Sequence, residues 1–129
     1  MTHKAMTPPE APAAVGPYSP AVLHEETKTL YVSGQIPLDP DTGEIVGDDI
    51  ETQTRQALTN LKAVLEGSGS GMDRVLKCTV LMTNLGDFAK MNAVYGTFFP
   101  GVKPARAAFQ VGALPKGAQV EIEAIATVG

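Results

Sequence analysis

The sequence predicts an α+β domain in which two helices pack on one face of a single sheet. Three observations indicate this class. Short β-branched runs and two segments with apolar residues at helical spacing follow one another in the order β-β-α-β-α-β-β. The closing segment VEIEAIATV alternates large or small apolar residues with polar ones, as a strand with one covered face does. Clusters of Pro, Gly and Asp separate the runs.

The composition favours one domain that covers residues 1–129. A chain of 129 residues, 43% of them hydrophobic, can form one modest core. Its net charge of −4 offers no basic surface for a nucleic acid. The single cysteine, Cys78, excludes an intrachain disulfide and favours a reducing compartment. Because no secretory signal and no apolar run of membrane-spanning length are present, we expect a cytoplasmic protein without a membrane partner.

The first half of the chain predicts two strands and a helix. Residues 1–12 are rich in proline and are expected to be irregular or mobile. Residues 18–25 and 29–36 are short β-type runs separated by the polar segment ETKT, which indicates a hairpin. Apolar residues recur at helical spacing over residues 50–66, with Asp48 or Asp49 as the N-cap and Gly67 as the stop.

The second half predicts three strands and another helix. The segment RVLKCTVLMT, residues 74–83, indicates the third strand. Asn84 with Asp87 is a plausible cap for a helix whose apolar stripe contains Phe88, Met91 and Tyr95. Residues 105–112 and 119–128 are predicted as the last two strands, joined by ALPKGA.

Residue parity predicts which side chains share a face of the sheet. In the last strand, Val120 and Ile122 belong under the helices and Glu121 points away from them. In the preceding strand, Ala107, Phe109 and Val111 are the apolar set, so Arg106, Ala108 and Gln110 are assigned to the uncovered face. Arg106 and Glu121 would then lie on one face. Leu81 and Ile125 make that face apolar, which predicts that self-association buries it.

An arginine on a buried face requires an anionic partner, because an uncompensated buried charge is strongly disfavoured. Glu121 or Glu123 could supply it as a structural ion pair. Alternatively a substrate carboxylate could supply it, which would leave a glutamate free to act as a general base toward water. The pattern of residues leaves both interpretations open.

The other reactive side chains offer weaker sites. His3 and His24 have no second ligand at metal-binding spacing, so no metal site is predicted. Ser19 and Ser33 have no histidine or lysine placed by a motif to activate them. Tyr18, which follows Gly-Pro, could reach a pocket with its hydroxyl, although a packing role is the commoner outcome for a tyrosine.

Several motifs together resemble the RidA family, also called YjgF/YER/UK, of reactive-intermediate deaminases. They are APAAVGPYS, YVSGQIPLDPDTGEIV, QTRQALTNLKAVLEGSG, VLKCTVLMTNLGDFAKMN and PARAAFQVGALPKGAQVEIEAIA. This resemblance covers nearly the whole chain after residue 10. It implies a chorismate-mutase-like fold and a homotrimer whose sheets face inward, with clefts between subunits.

The resemblance also implies an activity that needs no cofactor. Such enzymes hydrolyse 2-imino acids and their enamine tautomers, such as 2-iminopropanoate and 2-iminobutanoate, to 2-oxo acids and ammonia. PLP-dependent dehydratases release these imines, a functional link that needs no stable complex. By motif, Arg106 would bind the substrate carboxylate and Glu121 would position or activate water. The cleft would be lined by Tyr18, Ser33, Gly34, Phe88, Asn92 and the backbone at Ala108.

The chain departs from the family pattern at two positions. Ala108 stands where many bacterial relatives have cysteine, which argues against thiol-dependent regulation at this position. Lys103 stands where many relatives have phenylalanine, which points to a different preference for the substrate side chain.

Two other functions compete with imine hydrolysis. A protein of this fold could bind 2-oxo acids or other small metabolites without catalysis. Some relatives are credited with ribonuclease activity or inhibition of translation, but the acidic charge and the lack of a histidine pair argue against this function here.

Overall fold

A computed structural model describes residues 2–129. Six strands and two helices follow one another along the chain, with single 3₁₀ turns at Met72–Arg74, Leu85–Asp87 and Pro115–Gly117. The main elements are β1 (His3–Met6), β2 (Ala21–His24), β3 (Thr29–Gln35), α1 (Ile50–Gly67), β4 (Val75–Met82), α2 (Phe88–Phe98), β5 (Ala105–Gln110) and β6 (Val120–Thr127).

The strands form one mixed sheet in the order β1-β2-β3-β6-β4-β5. Every neighbouring pair is antiparallel except β4 and β5, which run parallel. A parallel pair needs a crossover connection, and α2 supplies it. The predicted α+β class with a single mixed sheet is confirmed.

The core lies between the two helices and one face of the sheet. Both helices contribute to it, and α1 buries the stripe predicted from its spacing, including Leu58, Leu61 and Leu65. Leu30, Val80 and Ile122 of the sheet are fully buried against them. We call this the helix face, and the opposite side the open face.

The predicted helix boundaries are close to the observed ones. The Asp49 side chain accepts a hydrogen bond from the Thr52 amide, so Asp49 is the N-cap of α1. Bonds from the Thr52 backbone and side chain also hold the pKa of the Asp49 carboxyl below its usual value. Asn84 caps the 3₁₀ turn that precedes α2 rather than α2 itself.

The start of the chain differs from the expectation for residues 1–12, because His3–Met6 form a strand. β1 pairs with β2 over four residues, and Met6 packs against the core. Its other side chains are exposed, so the segment has little hydrophobic alternation to reveal it. This pairing places His3 opposite His24, which also corrects the prediction that the chain lacks a histidine pair.

The prediction of which side chains of β5 face the helices was wrong. β5 pairs in register with β4, with Arg106 opposite Cys78 and Ala108 opposite Val80, both buried on the helix face. Arg106 and Ala108 therefore lie on the helix face. Phe109 points to the open face and is 48% exposed. The prediction assumed that the aromatic residue faces the core, but the open face is itself apolar.

The open face carries apolar side chains from several strands. Tyr31 of β3 is 52% exposed, and it lies opposite the partly buried Ile125 of β6. Leu81 of β4 lies opposite Phe109 of β5. Exposed apolar side chains from several strands on one face of a sheet are typical of an association surface. Burial of this face by self-association stays a prediction.

A buried asparagine ties the loop after β3 to α1. Asn60 is 1% exposed, and its Nδ2 donates hydrogen bonds to the carbonyl oxygens of Ile36 and Leu38 at 3.1 and 2.8 Å. Its Oδ1 accepts from Gln56. Carbonyl groups removed from water need such donors.

We expect Asn60→Ala to lower the free energy of unfolding by about 1–3 kcal/mol, because buried polar groups lose their partner. Urea denaturation followed by circular dichroism measures this change. Thr59→Ala, at an exposed position of the same helix, is the control and should change the value by less than about 0.5 kcal/mol. Equal effects of the two substitutions would contradict a role for Asn60 in holding the loop.

Candidate active site

Arg106 is held by three side chains of α2. Its Nη1 donates a hydrogen bond to Oδ1 of Asn92 at 2.7 Å. Its Cζ lies 4.8 Å from the ring centre of Tyr95 and 5.3 Å from that of Phe88. Residues 88, 92 and 95 are spaced by four and three positions, so one face of α2 presents all of them. The rings attract the cation and the amide orients it.

No carboxylate among the described residues pairs with this guanidinium. Within residues 2–129 the ion pair formed is that of Lys62 with Glu66. The structural ion pair of Arg106 with Glu121 or Glu123, one of the two interpretations that the sequence left open, is therefore not formed within the described residues of one chain. Arg106 is exposed, and one of its five N–H donors is engaged by Asn92. The remaining donors can receive a planar anion such as a carboxylate.

Tyr95 was missed as a site residue because the sequence assigned it only to the core stripe. Its ring does pack there, 4.8 Å from the ring centre of Phe99. The same ring also supports the guanidinium of Arg106. The spacing from Phe88 and Asn92 could have indicated this role, since all three share one helix face.

The hydroxyl of Tyr95 is buried beside the Cys78 thiol without the geometry of a hydrogen bond to it. Burial raises the pKa of the Tyr95 phenol and that of the Cys78 thiol. Both groups are therefore neutral at physiological pH and add no charge beneath Arg106.

Ala108 and Lys103, the two positions that depart from the family pattern, have structural contacts near Arg106. Ala108 lies two residues from Arg106 on the same face and packs against the core. The Lys103 ammonium donates hydrogen bonds to the carbonyl oxygens of Gly96 and Phe99 at the end of α2. Lys103 thus caps the helix that holds Arg106, which gives this departure from the family pattern a structural role.

A separate cleft contains the other predicted site residues. Its cavity measures about 370 Å³ and includes Tyr18, Ser33, Gly34 and Glu121. The rest of its wall is mostly apolar. These further residues are Pro12, Ala13, Ala14, Val15, Pro20, Gln35, Ile36, Leu38, Pro115 and Glu123.

A β-bulge shapes the wall of this cleft. The pairing of β3 with β6 is regular up to Val32 and resumes, shifted, at Gln35. Ser33 and Gly34 lie in the irregular part, where the Ser33 hydroxyl donates a hydrogen bond to the Ser19 carbonyl at 2.6 Å. A Cβ built on Gly34 would overlap the Glu121 carboxylate. Position 34 therefore requires glycine for Glu121 to occupy its observed position.

Glu121 is a half-buried carboxylate on β6 at the edge of the cleft. Burial raises its pKa, and the nearby negative charge of Glu123 raises it further. A carboxyl whose pKa moves toward neutrality is better suited to exchange protons with a substrate than one with an ordinary value. Tyr18 lies across the cleft, where its hydroxyl accepts a hydrogen bond from the Val15 amide at 3.3 Å.

The structure thus places the predicted residues in two groups on opposite faces of the sheet. We call Arg106, Phe88, Asn92 and Tyr95 the arginine cluster, and Tyr18, Ser33, Gly34 and Glu121 the glutamate cleft. Glu121 lies opposite Leu81 on the open face, whereas Arg106 lies opposite Cys78 on the helix face. The expectation that Arg106 and Glu121 share a face is wrong within one chain.

The raised pKa of Glu121 has a consequence for stability. The folded state favours the protonated form of Glu121 more than the unfolded state does. The contribution of this carboxyl to the free energy of unfolding is therefore greatest below the ordinary glutamate pKa, and it is lost as the pH rises through the pKa of Glu121 in the folded state. We therefore expect Glu121→Gln to stabilise the protein at pH 7 relative to wild type, with the difference shrinking below about pH 4. Urea denaturation at both pH values tests this expectation.

Glu44→Gln, which removes an exposed carboxylate, is the control and should show little change at either pH. A Glu121→Gln variant that is less stable than wild type at pH 7 would contradict an unfavourable burial of the charge.

Comparisons with known proteins cover nearly the whole chain. The profile of the Endoribonuclease L-PSP family matches residues 8–128. Protein DfrA of Myxococcus xanthus is 52% identical over 126 residues, which cover 98% of this chain and 96% of that protein. The 2-iminobutanoate/2-iminopropanoate deaminase of Mus musculus is 47% identical over 127 residues, which cover 98% and 93%.

Solved structures give the same result. The crystal structure of RidA from the Antarctic bacterium Psychrobacter has a TM-score of 0.92 and 42% sequence identity, with coverage of 97% of this chain and 99% of that one. No helix in the described residues is long and apolar enough to cross a membrane. By sequence and by fold, the chain belongs to the Endoribonuclease L-PSP family, the RidA family that its motifs resemble.

Proposed function

We propose that this protein hydrolyses short 2-imino acids, such as 2-iminopropanoate and 2-iminobutanoate, to 2-oxo acids and ammonia. The observation that carries the proposal is an oriented arginine that forms no ion pair with a carboxylate of residues 2–129. A curated relative at 47% identity has the name of this activity.

Arg106 would bind the substrate carboxylate. Its guanidinium is already oriented by Asn92 and lies over two aromatic rings, so little side-chain freedom remains to be lost on binding. A charge-assisted hydrogen bond contributes roughly 1.5–3 kcal/mol. Asn92 is engaged with Arg106, which favours a positioning role for it over direct contact with the substrate.

Glu121 would position and activate the attacking water. The water oxygen adds to C2 of the protonated imine, while Glu121 accepts a proton from the water. The protonated Glu121 then returns this proton to the nitrogen of the carbinolamine. As the C–N bond breaks and ammonia leaves, the C=O bond forms and the hydroxyl proton passes to the Glu121 carboxylate, which releases it to water. Base assistance of this kind contributes about 10²–10⁴ in rate, and the reaction requires no cofactor, because the protonated imine is itself electrophilic.

The two halves of this site would come from different copies of the chain. Arg106 and Glu121 lie on opposite faces of one sheet, so a single chain cannot present both to one small ligand. A cyclic assembly that buries the apolar open face, such as a homotrimer, would bring the arginine cluster of one copy to the glutamate cleft of the next. PLP-dependent dehydratases would supply the imine by diffusion, without a stable complex.

Addition of the protein to a threonine dehydratase reaction should accelerate release of ammonia and 2-oxobutanoate. Because the hydrogen bond from Arg106 to the substrate carboxylate is lost, we expect Arg106→Ala to lower kcat/KM about 10- to 150-fold. Arg55→Ala, at an exposed position of α1, should retain wild-type activity.

An Arg106→Ala variant with the kcat/KM of the wild type would contradict the role of Arg106 in binding the substrate carboxylate. A wild-type protein that binds 2-oxo acids, as shown by a raised Tm, but leaves the reaction unchanged would be a non-catalytic binder. Cleavage of RNA that is lost in Arg106→Ala would instead support a ribonuclease, against which the net charge of −4 argues.

Mixing two inactive variants tests the shared site. If each site takes Arg106 from one copy and Glu121 from another, then co-refolded Arg106→Ala and Glu121→Gln chains should regain activity in about one quarter of the sites. Steady-state assays before and after co-refolding measure the recovery. The double variant Arg106→Ala/Glu121→Gln, refolded alone, is the control. No recovery in assemblies shown by native mass spectrometry to be mixed would contradict a site built from two chains.

A further inference from the structure

Two histidines that are 21 positions apart in the sequence lie side by side in the sheet. The register of β1 with β2 pairs His3 with His24. The next pair along, Thr2 with Glu25, is joined by a hydrogen bond from the Glu25 amide to the Thr2 carbonyl at 2.7 Å. Bonded and non-bonded pairs alternate in an antiparallel ladder, so His3 and His24 form a non-hydrogen-bonded pair, the type with the closer side chains. Their Cβ atoms are separated by about 4.5–5.5 Å.

The imidazole of His24 is oriented by a neighbouring hydroxyl. Its Nδ1 lies 2.7 Å from Oγ1 of Thr27. When Nδ1 carries the proton and donates it to this oxygen, Nε2 holds the lone pair that a metal ion requires. Metal-binding histidines typically use the second ring nitrogen in such a hydrogen bond, which fixes the tautomer and the ring orientation.

The pair is open to solvent, and β1 and β2 place no lysine or arginine on its face. His3 is exposed and His24 is half-buried. By strand alternation, the side chains of β1 and β2 that share their face are Ala5 and Val22. Lys4 points to the other face. A cation that approaches the two imidazoles therefore meets no lysine or arginine of these strands.

We propose that His3 and His24 form a two-histidine chelate for a divalent transition-metal ion, with water in the remaining coordination positions. Imidazole suits Cu²⁺, Ni²⁺ and Zn²⁺, and Cu²⁺ binds most tightly in this series. Residues 2–129 contain no group of three or more His, Cys, Asp or Glu side chains placed to bind a metal, so the two imidazoles are the protein ligands of this site.

This chelate is separate from the glutamate cleft. β2 begins next to Pro20, which lines the cleft, and ends at His24. Four residues of extended chain separate the two positions by about 13 Å. The bound ion would join the edge strand β1 to β2 by their side chains, in addition to their backbone hydrogen bonds.

Isothermal titration calorimetry of the full chain with Cu²⁺ tests the proposal. We expect one ion per chain and a loss of affinity of about tenfold or more in both His3→Ala and His24→Ala, because either substitution removes the chelate. The double variant should bind more weakly than either single variant, because each single variant keeps one imidazole. Lys4→Ala, on the opposite face of β1, should bind as wild type does.

Two further measurements distinguish a chelate from binding to one imidazole. Thr27→Val should weaken Cu²⁺ binding by up to about tenfold, because it removes the group that orients His24. Cu²⁺ should raise the Tm of the wild type and leave that of His24→Ala unchanged. Binding that depends on His3 alone, or the same affinity in wild type and His24→Ala, would overturn the proposal. These readouts involve binding and stability, so they do not depend on the proposed hydrolysis.

Discussion

The parallel pairing of β5 with β4 determines the position of Arg106, the arginine of the candidate site. Because the two strands run in the same direction, the chain must return over one face of the sheet before β5 begins, and α2 forms this crossover connection. The crossing helix lies on the helix face beside Arg106, where its Phe88, Asn92 and Tyr95 contact the guanidinium. One topological feature thus brings the cation to the two rings and the amide that hold it. An antiparallel β5 could follow β4 through a short hairpin, with no helix beside the arginine.

The same sheet keeps the arginine away from the glutamate cleft. β6 lies on the other side of β4 from β5, and its Glu121 points to the open face. A sheet is a rigid barrier on the scale of a small ligand, so no side-chain rotation joins the two groups. The open face is apolar at Tyr31 and Phe109, as an association surface is. The separation of Arg106 from Glu121 and the exposure of apolar side chains on the open face therefore favour an oligomer. In it, one copy of the chain would place its arginine cluster beside the glutamate cleft of another.

Much of this fold could be predicted from the sequence, because burial leaves a periodic pattern. The stripe of α1, its cap at Asp49 and the alternation in β6 are local signals that the structure confirms. The facing of β5 could not be predicted in this way. Apolar Phe109 lies on a face that the single chain leaves open, so hydrophobicity assigned Arg106 to the wrong side. β1 was missed because its pairing rests mainly on backbone hydrogen bonds, which leave little trace in side-chain pattern.

The glutamate cleft contains a charged group whose position opposes the stability of the fold. Glu121 is partly removed from water beside Glu123, and no hydrogen bond from the described residues offsets the cost of its charge. Gly34 leaves the space that the carboxylate occupies, although glycine gives up conformational freedom in a strand. Both features weaken the folded state locally, and neither improves packing. Both features occur where the bulge of β3 meets the mostly apolar cleft, a placement that stability alone does not explain.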